Sequence, residues 1–293
     1  MTSSPTIAVV LASAGRSALL AEALQTCRRQ TTLFVGVVSV PDDASLPDDR
    51  SLLEGWQVVT GTRGLAAQRN AGLRVLDDEV ELVAYFDDDA VLHPDYLRRA
   101  GAFMAEHPGV VAMTGRVALD GVTKAEIPLG QAETVLREID DWPPSGQWRP
   151  GRTLYGANFV ARTSVARGEL FDERLPLYSW LEDHDFARRC LRHGVVAHVD
   201  DCVIVHRAAA SGGREAHKRL GYSQFMNPWY LWRKGSFPLW LMVEQIFRVL
   251  AKNIVRSTGG PESGWRRERL VGNLMGVGDA ARGRVTPERI RVL

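Results

Sequence analysis

The segment Val80-Glu81-Leu82-Val83-Ala84-Tyr85-Phe86-Asp87-Asp88-Asp89 constrains this chain more than any other. Its first seven residues are apolar except for Glu81, and they are rich in β-branched and aromatic side chains. A run this short and this apolar predicts a buried strand over residues 80–86. Three adjacent carboxylates at a strand's end repel one another, so the position favours a divalent cation. Hard oxygen ligands suit Mg²⁺ or Mn²⁺. If strand geometry persists, Asp87 and Asp89 project to one side and Asp88 to the other. A metal held there could grip a diphosphate. The structural alternative is an acidic turn ahead of a helix beginning near Pro94-Asp95.

The first 110 residues set that strand in an alternating pattern. Residues 7–11 read as a strand running into Ala12-Ser13-Ala14-Gly15-Arg16. Residues 17–28 carry Leu19, Leu20, Ala23, Leu24 and Cys27 at helical spacing. Residues 34–40 and 56–60 read as strands separated by a Pro/Asp/Ser-rich loop, and residues 64–75 and 95–106 read as helices. Such alternation predicts βαβ units and a parallel sheet. Ligands of such sheets bind at the carboxyl ends of the strands, so the loops after the first strands should converge with the Asp triplet. Farther on, residues 110–117 and 153–161 read as strands and 129–139 and 181–193 as helices. Residues 195–205 form an apolar run interrupted by Asp200-Asp201, and a Trp/Pro-rich segment spans residues 142–150. There is no internal repeat.

Composition narrows the class. The 293 residues suffice for one large domain, or one domain with an appendage. A net charge of +1 argues against a nucleic-acid partner. Cys27, Cys190 and Cys202 match neither a zinc spacing nor a disulfide framework, which points to a reducing, cytoplasmic setting. The N-terminus shows no secretory pattern, and no stretch reaches about 18 uninterrupted apolar residues, so a spanning helix is not expected.

Four further motifs carry candidate chemistry. Trp180-Leu181-Glu182-Asp183-His184-Asp185 places acids at a helix start, where the dipole favours them. An Asp there could take a proton from a hydroxyl nucleophile. The structural alternative is helix capping, with Asp185 paired to Arg188 or Arg189. Arg63-Gly64 through Arg69 to Gly72 offers small residues for close packing and two arginines for phosphate or base; an Ala-rich helix is the alternative. Gly156-Ala157-Asn158 could bound a sugar pocket or mark a bulge. His206 ends an apolar run, where an imidazole can complete a carboxylate metal site or serve structure.

In this order the segments resemble the family 2 glycosyltransferases with the GT-A fold, over about residues 7–206. Phe86-Asp87-Asp88-Asp89 is similar to the Asp-x-Asp signature. Glu182-Asp183-x-Asp185 with Arg188 or Arg189 is similar to the acidic acceptor-side motif. Residues 64–72 resemble the Gly-x-x-x-Ala-Arg-Asn-x-Gly element with Gln68 in place of Ala, and Gly156-Ala157-Asn158 resembles Gly-x-Asn. Two loops depart from the pattern. The first loop keeps only Arg16 of the usual Pro-Thr-x-Asn-Arg, and the acids after the second strand are shifted to Asp42-Asp43. Both departures touch the nucleotide base pocket.

The resemblance implies an α/β, GT-A (Rossmann-like nucleotide-diphospho-sugar transferase) fold, with a mixed central sheet and a C-terminal helical appendage. Residues 1–215 would form the catalytic domain, with a nucleotide-binding half (about 1–115) and an acceptor-binding half (about 116–215). Residues 216–293 would form the helical, aromatic and basic C-terminal region. The implied activity is metal-dependent transfer, with inversion, of a sugar from a nucleotide-diphosphate donor to a hydroxyl of a saccharide or lipid-linked acceptor. Asp89, Asp87 and His206 would hold Mn²⁺ or Mg²⁺. Ala12, Ala14, Arg16, Asp42, Arg63, Arg69, Asp87, Asp88, Asn158 and Trp180 would form the nucleotide-sugar site, with Trp180 walling the acceptor pocket. Asp183 would be the general base, assisted by Glu182 and Asp185. A nucleotidyl or phosphoryl transferase is the competing enzyme, although the chain has no Gly-x-x-x-x-Gly-Lys-Ser/Thr loop. A non-catalytic sugar-nucleotide-binding scaffold is the other competitor.

The C-terminal third changes texture. In residues 239–256, Glu244, Arg248, Lys252 and Arg256 recur every four residues, forming one polar stripe on an otherwise apolar helix. Such a helix could lie in a membrane interface, or pack on the catalytic domain or in a homodimer contact; the family resemblance tilts residues 225–256 toward a peripheral contact at the inner face of the cell membrane.

Overall fold

The computed structural model describes residues 5–123, 126–140, 143–209 and 216–293. Trp142 and the boundary expected near residue 215 lie outside the described residues. The strands are β1 (Ile7–Ala12), β2 (Val35–Val40), β3 (Trp56–Thr60), β4 (Leu82–Asp87), β5 (Ala90–Leu92), β6 (Val110–Asp120), β7 (Trp148–Gly151), β8 (Asn158–Arg162) and β9 (Val195–His206). The helices are α1 (Ser17–Cys27), α2 (Leu65–Arg74), α3 (Tyr96–Glu106), α4 (Leu129–Asp140), α5 (Thr163–Gly168), α6 (Glu182–Cys190), α7 (His217–Lys234), α8 (Leu239–Ser257) and α9 (Ser263–Ala281).

The strands form one mixed sheet in the order β3-β2-β1-β4-β8-β6-β9-β5, with β7 also paired to β9. The first four neighbours run parallel, and β8 then enters antiparallel to both β4 and β6. Successive residues of β1 and β4 feed opposite cores. Ile7, Val9, Leu11, Leu82, Ala84 and Phe86 pack with Leu20 and Leu24 of α1 and Leu97 of α3. Ala8, Val10, Val83 and Tyr85 pack with Leu73 of α2 and Phe186 of α6. Both faces are covered, so these strands read as continuous apolar runs rather than alternating ones.

Register assembles the site. Ala12 pairs with Asp87, Phe86 with Asn158, and Ala90 with His206. The loop after β1, the Asp triplet and the end of β9 are thus drawn to one edge. The strand expected over residues 153–161 begins only at Asn158, because the chain before it forms a tight Tyr155–Asn158 bridge that turns Gly156 toward α6. Partway along, β9 slips three residues against β6, from Gly115↔Val199 to Arg116↔Val203. This accommodates Asp200-Asp201, and the Asp201 carboxylate accepts from the Ser145 and Gly146 amides.

Beyond the sheet, α7, α8 and α9 pack together. At the crossing of α7 and α9, a Cβ on Gly221 would lie 2.1 Å from the Arg269 carbonyl, and one on Gly272 would lie 2.1 Å from that of Lys218. A buried network ties the three helices. Asn253 donates to Gln224 and Asn273, Asn273 donates to the Gly221 carbonyl, and Arg266 donates to Asn253. Among the described residues, no helix is long and apolar enough to cross a membrane. Because backbone atoms meet at the crossing, Gly221→Ala should lower unfolding free energy by about 1–3 kcal/mol, the usual cost of overpacking. Chemical denaturation would measure it; an unchanged midpoint would show that the helices can separate freely.

Candidate active site

The loop after β1 enters the acidic edge first. Ser13 Oγ donates to Asp88 Oδ2 at 2.6 Å, and Arg16 reaches Asp88 Oδ1 at 2.8 Å and Asp89 Oδ2 at 3.0 Å. Gln68 of α2 pins this loop by donating to the Ser13 and Ser39 carbonyls. Asp88 therefore faces the β1 loop, while Asp87 and Asp89 face the end of β9, although β4 ends at Asp87.

Asp87, Asp89 and His206 each offer a ligand atom, and these atoms lie within 4.8 Å of one another. Asp89 Oδ1 is buried without a hydrogen-bond partner, 3.4 Å from His206 Nε2. Two carboxylates, an imidazole and an unsatisfied buried oxygen fit Mn²⁺ or Mg²⁺. The other face of the imidazole is fixed: His206 Nδ1 lies 3.0 Å from Asp120 and 2.9 Å from the Tyr155 hydroxyl, which itself donates to Asp120. Such outer partners orient a ligating histidine. Burial would depress the imidazole, but the bond to Asp120 and the Asp89 carboxylate 3.4 Å away outweigh it and raise its pKa to about 9. Burial likewise opposes ionisation of Asp89, yet His206 and Arg16 hold that carboxyl well below its usual range.

Arg69 links this group to the second acidic site. It donates to Asp87 Oδ1 at 3.0 Å, to the Gly156 carbonyl at 2.6 Å and to Glu182 Oε1 at 2.8 Å. At the start of α6, Glu182 and Asp185 are buried and Asp183 stays partly open. Asp183 Oδ2 accepts from Gly156 N at 2.9 Å, and Oδ1 accepts from His184 N at 2.8 Å. Burial first, then the neighbouring Asp183 charge, pushes the Glu182 carboxyl well above its ordinary range. Beside these acids lies a cleft of about 610 Å³, lined by residues 12–16, Arg63, Gly64, Leu65, Asp87, Asp88, Leu177 and Tyr178. Its remaining wall comes from the C-terminal region: Ala216, Arg219, Leu220, Ser223 and Ile290.

A family model described as glycosyl transferase family 2 matches residues 8–158, just over half of the 293. The chain belongs to glycosyl transferase family 2. It is a glycosyltransferase with the GT-A type of mixed α/β fold. Solved structures agree on the fold. The mannosyltransferase PcManGT from Pyrobaculum calidifontis, in complex with GDP-Man and Mn²⁺, superposes with a TM-score of 0.60 at 16% identity, over 95% of this chain and 88% of that one. S. aureus TarS gives 0.51 at 16% identity over 76% of this chain, and the match spans 40% of the TarS chain. TarS 1–349 with UDP-GlcNAc gives 0.50 at 16% identity, over 95% and 92% of the two chains. No curated protein sequence matches the chain significantly.

Within this glycosyltransferase, the residues singled out in the sequence fall into separate places. Ala12, Ala14, Arg16, Arg63, Asp87 and Asp88 line the cleft. Arg69, expected to meet nucleotide, is instead 1% exposed, because Asp87 and Glu182 take its donors. Asp42 is exposed and caps a single 3₁₀ turn, where it holds Ser45, whose hydroxyl accepts from Gly15 N. Asn158 is fully buried, with Oδ1 accepting from the Tyr96 hydroxyl and Gly115 N, so it ties strands rather than opening on the cleft. Asp185 turns inward onto Arg189 and Lys234, so it pairs with Arg189 as the structural alternative expects, but it caps nothing, since no side chain caps the start of α6. Trp180 is half-buried and stacks with Tyr178 at 6.3 Å between centroids. Sequence reasoning missed the roles of Ser13, Gln68, Asp120, Tyr155, Arg219 and Ser223. Only Gln68 left a signal, as the departure from Ala in its element.

A metal taking His206 as a ligand would have to displace its proton. The imidazolium persists to about pH 9, so Mn²⁺ affinity of the metal-free protein should rise with pH toward that value, by at most about tenfold per unit. Calorimetric titration between pH 6 and 9 checks this; a flat profile would remove His206 from the ligand set.

Proposed function

We propose that this glycosyltransferase is inverting and metal-dependent, moving a sugar from a nucleoside-diphosphate donor to a hydroxyl of a saccharide or lipid-linked acceptor. The observation that carries the reading is the state of Asp183. It is the one acid at the start of α6 with a partly open carboxylate, it is aimed by two backbone amides, and it is joined through Gly156 and Arg69 to Asp87. PcManGT with GDP-Man and Mn²⁺, and TarS with UDP-GlcNAc, support the donor class and the metal. Residues 1–215 carry the chemistry, with the donor held mainly by residues 1–115 and the acceptor by 116–215. Residues 216–293 complete the cleft.

In this reading Asp87, Asp89 and His206 hold Mn²⁺ or Mg²⁺, which when bound neutralises charge developing on the leaving diphosphate. Asp183 takes the proton of the acceptor hydroxyl as its oxygen attacks the anomeric carbon opposite the leaving group, and that geometry inverts the centre. Arg69 and Glu182 hold the base beside the donor. Arg16 and Arg63, on the cleft wall, face the diphosphate.

The acceptor's lipid link has support in α8. Trp240, Val243, Phe247 and Ile254 follow helical spacing and are all at least half exposed, Phe247 at 72%. Arg248, Lys252 and Arg256 flank them; partial burial first, then the neighbouring Arg266 and Arg256, lowers the Lys252 pKa. An apolar strip beside concentrated positive charge fits an anionic bilayer surface.

Two outcomes are expected. Asp183→Asn should keep donor affinity and lose about 10²–10⁴ in turnover, the usual worth of a general base. Steady-state assays over a panel of UDP-, dTDP- and GDP-sugars would measure this, and near-wild-type turnover would exclude Asp183 as the base. The protein should float with vesicles containing phosphatidylglycerol, weakly with pure phosphatidylcholine, and Phe247→Asp should lose that binding. A stable dimer that ignores both vesicles would assign the face to a second copy.

A further inference from the structure

The stretch from Asp172 to Leu181, which leads into α6, concentrates unusual backbone. Leu177, Ser179 and Leu181 have φ of 59°, 52° and 73°. Side-chain-bearing residues avoid this region, and such backbone persists only where its surroundings over-determine it. Two elements do so. From α2, Leu65 N donates to the Leu177 carbonyl at 2.8 Å and Ala66 N to Ser179 Oγ at 3.2 Å. From α7, Asn227 Nδ2 donates to the Trp180 carbonyl at 2.9 Å and the Tyr230 hydroxyl to Asp172 Oδ2 at 2.8 Å. Lys234 Nζ then bridges Asp172 Oδ2 at 2.7 Å and Asp185 Oδ2 at 2.9 Å.

Asn227, Tyr230 and Lys234 fall at i, i+3 and i+7, so a single face of α7 grips the stretch at its start, near its end and in the first turn of α6. The grip is directional. An apolar contact alone, such as Leu231 against Leu175 and Leu181, would tolerate sliding; hydrogen bonds to a carbonyl and to two carboxylates fix both place and rotation. The other end of the same helix supplies Arg219, Leu220 and Ser223 to the cleft wall. One continuous helix therefore touches both the donor cleft and the turn that presents Asp183.

We infer that α7 sets the register between donor and base, with Asn227 and Lys234 as positioning residues that hold the left-handed turn ahead of Asp183. The inference rests on the assignment of Asp183 as the base and assigns the control of its position to the C-terminal helices. Neither residue needs to touch substrate.

The test uses the full chain with Asn227→Ala, Lys234→Met and Lys234→Arg. Hydrogen exchange is read at the Ser179, Glu182 and Asp185 amides, which bond to Pro176, Ser179 and Leu181. Asn227→Ala and Lys234→Met should speed exchange there by about tenfold or more while β1 and β4 keep their protection. Turnover should fall about tenfold, with the KM for the best-binding UDP-, dTDP- or GDP-sugar in Mn²⁺ changed less than about twofold. Lys234→Arg, which keeps the charge, should retain most of the protection and turnover. Unchanged local exchange would overturn the inference. So would faster exchange across the whole sheet, which marks plain destabilisation, or local loosening with turnover intact. If the wild type binds none of these sugars, the proposed function fails instead, and the exchange pattern still decides whether α7 holds the turn.

Discussion

Arg69 carries the charge that lets two acidic sites stand side by side on one sheet. Its guanidinium is sealed from solvent between Asp87 and Glu182, with the rings of Phe159, Phe171 and Tyr85 at 5.3, 5.5 and 6.0 Å. A buried guanidinium without its acidic partners is strongly unfavourable, and removing one partner from a buried pair costs about 3–5 kcal/mol. The planar fork matters as much as the charge, because three acceptors on different elements are met in one plane, which an ammonium could not do. Through this one side chain α2 fixes the distance between the Asp87–Asp89–His206 group and the acids at the start of α6.

The surrounding polar groups extend the same logic. Asp120 and Tyr155 hold the imidazole of His206, Ser13 and Arg16 hold Asp88, and the Gly156 amide holds Asp183. Each acid at the edge has a partner from an element far away in sequence. The site is built by sheet register, which delivers the elements, and by hydrogen bonds, which aim the side chains.

Those two contributions explain what could be read in the sequence. The strands and the first helices were legible because apolar periodicity is local, and the Asp triplet was legible because like charges in a row need a reason. The split of Asp88 from Asp87 and Asp89 followed from strand alternation even though β4 stops at Asp87. The destination of Arg69 was not legible: an Ala-rich helix shows its period, but not whether an arginine turns outward or into the core. Asp120 and Tyr155 were hidden because their link to His206 exists only in the folded register. The C-terminal region was expected to be helical, but the bounds of α7 were hidden by Pro228 inside it and by its mixed aromatic and polar composition, which blur the 3.6-residue pattern. β5 and β7 were too short to announce themselves.

The cleft wall joins residues 12–16 to Arg219, Ser223 and Ile290, more than 200 positions apart. Synthesis proceeds from the N-terminus, and domains acquire structure as they emerge. All nine strands have been made once His206 appears, yet the cavity still lacks a wall. The acidic edge of a nascent chain thus exists before the enclosure that would retain a substrate. The last wall of the cleft is therefore the last part of it to be synthesised.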